Sequence, residues 1–308
     1  RDVELVGSDA DRGLMTKASQ MGAVDRTTGN LRSAVDGAQM VILNVSIGKM
    51  KELLEAIGPI LEDGCIVTDT GVTKVPVLDW ADDCLPSGVS FVGGRPLLKS
   101  PPREMEDADG SVFRGTDYCV MPSKSADETA VRTIVGLVET LGAKPVFMDP
   151  HEHDSYSAAM THLPAVLSSA FVTATAQADG WGEMHRLAAA DYRDFSRLAS
   201  NAPDDNEAAC LANPEALVHW LDQIIGELYS YRNQIKERSD TLLDTFIGAW
   251  EARAKWDADA VVPQDGTRIP SAGDPIAASF ISHRMVDRYK NLKQTYDSRP
   301  GWQFRRKR

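Results

Sequence analysis

The chain has 308 residues, of which 43% are hydrophobic and 25% are charged, with 33 Lys and Arg against 45 Asp and Glu. This composition is typical of a folded globular protein and excludes disordered, collagen-like and coiled-coil classes. The net charge of −12 repels a phosphate backbone, so we expect no nucleic-acid partner. At about 150 residues per domain, the length predicts two domains or one large one.

The four cysteines are widely spaced and form no CxxC pair, which predicts neither a zinc site nor a disulfide framework. We therefore expect a cytoplasmic location, where thiols stay reduced, and no metal site. Residues 155–178 carry no charge, but they include Pro164, His162 and several hydroxyl side chains, which favours a buried helix over a membrane span. The basic residues 305–308 are interpreted as a solvated terminus.

The first half of the chain alternates short apolar runs with helical patterns. Continuous apolar strands separated by helices are typical of a parallel sheet covered on both faces. We therefore predict a Rossmann-like, doubly wound α/β fold for this half. The predicted strands are residues 3–6, 40–45, 65–68, 89–92, 118–121 and 144–148, and the predicted helices are residues 10–21, 49–61 and 125–141.

Beyond residue 150 the patterns are helical, and no convincing strand occurs up to about residue 257. Apolar residues recur every three or four positions over residues 217–231, which predicts a helix with one buried stripe. Further helices are predicted at residues 240–256 and 275–293. We predict an α/β domain over residues 1–150 and an all-helical domain with a C-terminal tail over residues 151–308.

Asp9 follows the first predicted strand, at the edge where doubly wound sheets bind ligands. An acidic residue after the second strand of a dinucleotide-binding fold accepts hydrogen bonds from the adenosine ribose and favours NAD over NADP. Alternatively, Asp9 only caps the helix that starts at Asp11. Because Arg1 begins close to this strand and no GxGxxG occurs, we expect the Gly-rich first strand upstream of the sequence; the alternative is a degenerate fold that binds no dinucleotide.

Three groups of polar residues in the second half are candidates for chemistry. Burial of His162 would leave its imidazole neutral, and a purely structural role is the alternative. Arg193 and Arg197 are four residues apart, so one helical face could present both to a carboxylate; alternatively they pair with Asp194. The run 151–154 has metal-ligand residue types, but its adjacent side chains point apart, so we interpret it as the first turn of a helix.

Several motifs occur together in a fixed order: Asp9, LNV at 43–45, TDTGVTK at 68–74, FVGGRP at 91–96, MDPHEHD at 148–154, THLP at 161–164 and FSRLA at 195–199. On these motifs the chain resembles the prephenate/arogenate dehydrogenase family over residues 3–235. The resemblance implies a Rossmann-type domain followed by an all-helical dimerisation domain, and hence a homodimer. It also implies NAD-dependent oxidative decarboxylation, which yields hydroxyphenylpyruvate from prephenate or tyrosine from arogenate.

Carried over position by position, the resemblance also implies roles for single residues. Arg197 would bind a substrate carboxylate, with Arg193 and Thr73 as further substrate-binding residues, and His162 would line the substrate pocket. Asp9 would hold the adenosine ribose of NAD. The remaining residues expected along the cofactor lie in two turns: Asn44, Val45, Ser46, Thr70 and Gly71.

Two positions depart from the family pattern. The family has Gly-Gly-His-Pro, in which the histidine is the catalytic base, whereas this chain has Arg95, which stays protonated and accepts no proton. Val72 replaces a serine that contacts the same substrate hydroxyl. Three interpretations stay open: Arg95 pairs with an extra anion of a different cyclohexadienyl acid, water or His162 is the base while Arg95 holds a carboxylate, or the protein is a non-catalytic ligand-binding homologue. Arg95 and His162 are the predicted catalytic positions.

Overall fold

A computed structural model of the chain describes residues 3–99, 102 and 104–257. Two compact units divide the chain: the first ends at Ile224 and the second begins at Ile225. The helix predicted at residues 275–293 lies outside the described residues. In the described part of the chain, no helix is both long and apolar enough to cross a membrane.

The described strands form two sheets in the first unit. The first two strands pair in parallel as a separate ribbon, and the other five form one sheet in sequential order. The strands are β1 Val6–Gly7, β2 Arg26–Thr27, β3 Met40–Leu43, β4 Ile66–Asp69, β5 Ser90–Pro96, β6 Asp117–Pro122 and β7 Lys144–Phe147.

Strands β3, β4 and β5 run parallel, as their apolar sequences predict. Strand β6 runs antiparallel to β5, and β7 is parallel to β6, so the sheet is mixed rather than wholly parallel. The reason lies in the link between β5 and β6, whose described residues form only the short 3-10 turns Met105–Asp107 and Gly110–Phe113. Without a crossover helix, β6 begins at the sheet edge where β5 ends.

Helices cover both faces of the five-stranded sheet. Val67 and Phe91 pack with the helices of residues 47–57 and 75–84 on one face, whereas their neighbours Ile66 and Val92 pack with the helix of residues 128–140 on the other. This alternation along each strand buries both faces, as expected for a doubly wound fold. The helices of this part are α1 Arg12–Gln20, α2 Leu31–Val35, α3 Ile47–Ile57, α4 Val75–Cys84 and α5 Glu128–Thr140.

The described residues after β7 contain helices and turns and no strand, which confirms the predicted helical character up to residue 257. A π-helical turn, Ala158–His162, joins the first two of these helices. Leu163 and Leu217 form a small core with Ala158, and Tyr231 contacts Phe246 in the second unit. The helices are α6 Pro150–Ser157, α7 Leu163–Ala176, α8 Trp181–Met184, α9 Ala190–Ser196, α10 Pro203–Ala212, α11 Pro214–Glu237 and α12 Leu242–Asp257.

Candidate active site

The parallel strands β3, β4 and β5 end at one edge of the sheet, where the predicted cofactor turns begin. The structure brings Asn44 and Thr70 together, because the Thr70 hydroxyl donates to Asn44 Oδ1 over 2.7 Å. Ser46 is the N-cap residue of α3, but its side chain makes no capping hydrogen bond. Val45 is exposed and Gly71 is partly exposed.

Asp9 lies just beyond β1, in the two-stranded ribbon, and its side chain is exposed. Its Oδ1 accepts a hydrogen bond from the Asp11 amide over 2.7 Å. The cap of α1 is Asp11, whose carboxylate accepts from the Gly13 and Leu14 amides. The helix-capping interpretation of Asp9 is therefore wrong, and Asp9 instead shapes the turn that precedes the cap.

A buried ion pair between Asp69 and Lys74 fixes the turn that follows β4, and both side chains are fully buried. The Asp69 carboxylate also accepts from the amides of Gly71 at 2.9 Å and Gly94 at 3.2 Å. Burial lowers the pKa of Lys74, while the attraction of Asp69 raises it. These contacts bind the turn to β5 directly before Arg95.

Glycine at position 94 is required by the close approach of its neighbours. A Cβ atom there would lie 2.7 Å from the Asp69 carbonyl oxygen and 2.8 Å from the Tyr118 hydroxyl. Burial raises the pKa of Tyr118 to about 12, so its hydroxyl stays neutral. The strand that carries Arg95 is therefore held tightly between β4 and β6.

Arg95 is partly buried near the end of β5 and is surrounded by uncharged acceptors from α6 and the π turn. Its Nη1 donates to His153 Nε2 over 3.2 Å and to the Ser157 hydroxyl, and its Nη2 donates to Thr161 Oγ1 over 2.9 Å. Burial lowers the pKa of Arg95 below the ordinary value of an arginine. We call Arg95, His153, Ser157, Thr161 and His162 the Arg95 group.

His153 is held by Asp154, its neighbour in sequence. Because a guanidinium only donates, His153 Nε2 accepts from Arg95, so the ring proton lies on Nδ1 and points to Asp154 Oδ1, 2.8 Å away. The Asp154 carboxylate also accepts from the Lys74 and Val75 amides over 2.8 Å. Asp154 thus joins α6 to the start of α4 and orients the imidazole that holds Arg95.

His162 ends the π turn and is 5% exposed. In the described part of the chain, neither of its ring nitrogens has a hydrogen-bond partner. Burial, followed by the positive charge of Arg95, lowers the pKa of His162, and the opposing effect of Asp154 is smaller. The ring is therefore neutral at neutral pH, as its apolar sequence surroundings predict, and π turns frequently mark functional sites.

The other predicted substrate-binding residues are not joined to the Arg95 group by any hydrogen bond or ion pair among the described residues. Arg193 is exposed and pairs with Asp194 over 3.1 Å, which is the structural alternative. Arg197 is exposed in a 3-10 turn that follows α9, so the two arginines do not share one continuous α-helix. Thr73 is buried in the turn after β4, beside Lys74.

The contacts of His153 and Asp154 are not predicted by the sequence. Their run is the first turn of a helix, as predicted, which Asp149 caps and Pro150 begins. The contacts that matter join residues 58 to 80 positions apart, so no local pattern shows them. In the described part of the chain, no group of three or more His, Cys, Asp or Glu residues is placed to hold a metal ion.

The comparison with known protein families matches most of the chain. Residues 1–147 match the nucleotide-binding domain of prephenate dehydrogenase, and residues 149–247 match the dimerization domain of the same enzyme. The chain is 28% identical to the prephenate dehydrogenase of Bacillus subtilis over 235 residues, which cover 76% of this chain and 63% of that protein. It therefore spans less than two thirds of the length of that relative.

Other relatives and solved structures agree. The chain is 26% identical to the cyclohexadienyl dehydrogenase of Zymomonas mobilis, with 82% of this chain and 87% of that protein covered. The prephenate dehydrogenase of A. aeolicus, solved with hydroxyphenyl propionate and NAD+, has the same fold at a TM-score of 0.74 and 20% identity, covering 82% of this chain and 89% of that one. The arogenate dehydrogenase of Synechocystis gives a TM-score of 0.65 at 24% identity, covering 82% and 91%. On the match of both domains, this chain belongs to the prephenate/arogenate dehydrogenase family.

Proposed function

We propose that this chain catalyses the NAD-dependent oxidative decarboxylation of prephenate, arogenate or a close cyclohexadienyl acid. The observation that carries the proposal is the Arg95 group, in which a charged guanidinium and a neutral, unpartnered imidazole lie together near the carboxyl end of β5. Such an edge is where doubly wound sheets bind their ligands. The named activities of the relatives support the same reaction class.

The residues at this sheet edge suit a dinucleotide. Exposed Asp9 has acceptor oxygens for ribose hydroxyls, and Asn44 and Thr70 offer polar groups at the ends of adjacent strands. The Ser46 side chain does not cap α3, and the first amides of a helix can donate to a bound anion. We propose that these residues, with Val45, Ser46 and Gly71, hold NAD. NAD, when bound, would be the hydride acceptor.

In this mechanism the chain's own residues bind the acid and move one proton. His162 is neutral and both of its ring nitrogens are free, so it accepts the proton of the ring hydroxyl as that carbon is oxidised. Arg95 stays protonated and binds by donating hydrogen bonds. We further propose that Arg197 binds a carboxylate of the substrate, and that Arg193 and Thr73 are further substrate-binding residues. Loss of carbon dioxide then leaves an aromatic ring.

A second candidate function is the same chemistry on a different cyclohexadienyl acid. It is favoured by Arg95 and Val72, which remove two polar groups that the family places at the substrate hydroxyl. The enzyme is proposed to act as a homodimer in the cytoplasm; all four cysteines are free thiols, which fits a reducing compartment.

The test is NADH formation by the full chain, offered NAD with prephenate and with arogenate in separate assays. Turnover with either acid supports the proposal. His162→Asn is expected to lower kcat about 100- to 10,000-fold, because it removes the proton acceptor. The matched control is His219→Asn, since His219 is exposed on α11. NAD binding without turnover of either acid favours the second candidate. If the chain neither binds NAD nor turns over either acid, the non-catalytic ligand-binding homologue is favoured.

A further inference from the structure

We propose that the Arg95 group is a carboxylate-binding site, in which Arg95 is the charged donor and His162 is a neutral second contact. This inference rests on the proposed function and deepens it: it names the chemical group that the ligand presents near the end of β5. The family pattern has a proton acceptor at position 95, so carboxylate recognition there would be particular to this chain.

Arg95 has hydrogen-bond donors left for a ligand. A guanidinium carries five N–H groups. Three are used in Arg95, by His153 Nε2, the Ser157 hydroxyl and Thr161 Oγ1. The remaining two have no acceptor among the described residues. Two N–H groups of one guanidinium form a planar fork that matches the two oxygens of a carboxylate.

The positive charge of Arg95 has no direct counter-ion among the described residues. All three acceptors of Arg95 are uncharged, and no carboxylate in the described part of the chain forms an ion pair with it. Asp154 is the carboxylate whose charge acts on Arg95, but its oxygens already accept from Lys74, Val75 and His153. A partly buried charge without a direct counter-ion is costly. A ligand carboxylate would supply the missing counter-ion.

The side chains of the Arg95 group are already held in position by hydrogen bonds without a ligand. Asp154 orients His153, and His153 in turn holds Nη1 of Arg95 without neutralising it. Thr161 holds Nη2, and the next residue is His162, whose two ring nitrogens are buried and unpartnered. One protonated ring nitrogen of His162 can donate to the same carboxylate.

The experiment compares benzoate with benzamide, two flat ligands of similar size that differ in charge. The full chain carries ¹³C-labelled histidine, and the His162 resonance is identified by its absence in His162→Asn. We expect benzoate to shift this resonance and to raise the pKa of His162, because an anion stabilises the imidazolium. Arg95, Asp154 and His153 are the other charged or titratable groups that act on His162. Benzamide should cause neither change.

Variants then locate the binding site. Arg95→Gln should weaken benzoate binding about 10- to 100-fold, because a charge-assisted hydrogen bond is lost. Arg132→Gln is the matched control, since Arg132 is exposed on α5, where it pairs with Glu128. Arg197→Gln tests the rival site: if it abolishes benzoate binding while Arg95→Gln does not, the proposal is overturned. Equal binding of benzamide and benzoate overturns it too.

The wild-type titration keeps the proposal testable if Arg95→Gln does not fold, because the benzoate and benzamide arms need no variant. The measurement also needs neither NAD nor turnover. Benzoate binding without NADH formation would therefore support the carboxylate site and contradict the proposed dehydrogenase activity. NADH formation without a benzoate effect at His162 would support the dehydrogenase activity and contradict the carboxylate site.

Discussion

Arg95 replaces a family histidine, and its surroundings are consistent with a permanent cation. A cation needs acceptors, and α6 with the π turn provides an imidazole nitrogen and two hydroxyls. The imidazole is oriented by a carboxylate that is bound elsewhere, so Arg95 keeps its charge for a ligand. In the proposed carboxylate site, the substitution changes the chemistry at this position from proton transfer to anion binding.

His162 makes the stability of the fold depend on pH. Its pKa is lowered in the folded protein, mainly by burial, so below pH 6.5 the unfolded chain binds more protons than the folded one. Stability is therefore retained above pH 6.5 and falls as the pH drops from 6.5 to the lower folded pKa. The expected slope reaches at most about 1.4 kcal/mol per pH unit.

Urea unfolding of the wild type and of His162→Gln at several pH values measures this effect. The variant should lose the part of the slope that His162 contributes. His219→Gln, an exposed histidine of α11, should retain the wild-type slope. Parallel pH profiles for the wild type and His162→Gln would show that His162 titrates normally in the folded protein.

Gly94 is a second residue where one atom decides the packing. Gly94→Ala places a Cβ against the Asp69 carbonyl and the Tyr118 hydroxyl, and a backbone oxygen cannot move without shifting β4. We expect a loss of about 1–3 kcal/mol of unfolding free energy, as for other overpacked sites. Gly136→Ala on α5 is the control, since nothing lies within 4 Å of its added Cβ. Equal melting temperatures for both variants would contradict the prediction.

At the scale of elements, Asp154 connects α6 to the N-terminus of α4. Asp154→Asn removes the charge and turns an NH2 group toward at least one of the donors from Lys74, Val75 and His153. Because a buried donor left unpaired costs about 1–3 kcal/mol, we expect a loss of that size.

The control for Asp154→Asn is Asp149→Asn, the N-cap of the same helix. Asparagine caps helices as well as aspartate does, so this variant should change stability little. Denaturant unfolding measures both. The prediction also extends to the site: loss of the His153 contact should raise KM more than it lowers kcat, because Arg95 is then less well held. An unchanged KM would restrict Asp154 to a structural function.

The elements differ in how far the sequence predicts them. The apolar strands of the five-stranded sheet and helix α5 are predicted by the hydrophobic pattern of the sequence. Their predicted ends differ from those in the structure by a few residues. Strand β2 has only two residues, Arg26 and Thr27, and no pattern of that length identifies a strand. The reversed direction of β6 was also missed, since it depends on the link before it and not on the strand's own residues.

The candidate site, too, is predicted only in part by the sequence. Arg95 and His162 were selected from motifs in the sequence, and the structure places them in one group. Asn44 and Thr70 also meet, since parallel strands end at one edge. The partnership of His153 with Arg95 depends on how α6 packs against the sheet, and that packing is a tertiary contact. Arg197 was selected by motif alone, and its function stays a prediction.

At the scale of the whole molecule, apolar residues that the fold leaves exposed are the candidate surface for the proposed partner subunit. On α11, Leu228 and Ile235 are more than half exposed, as is Phe246 on α12. A monomer in solution rarely leaves such a set uncovered. Residues 149–247 match a dimerization domain, so a second copy of this chain is the expected partner.

Sedimentation of the full chain at micromolar concentration is expected to show a dimer. Leu228→Lys should shift the equilibrium toward monomer by about tenfold or more, because burying an unpaired ammonium in an apolar interface is costly. Gln223→Lys adds the same charge at another exposed position of α11 and should leave the dimer intact if the interface lies on the apolar stripe. Sedimentation of the wild type as a monomer would contradict the proposed homodimer. A dimer equally stable in Leu228→Lys would move the interface to another face of the protein.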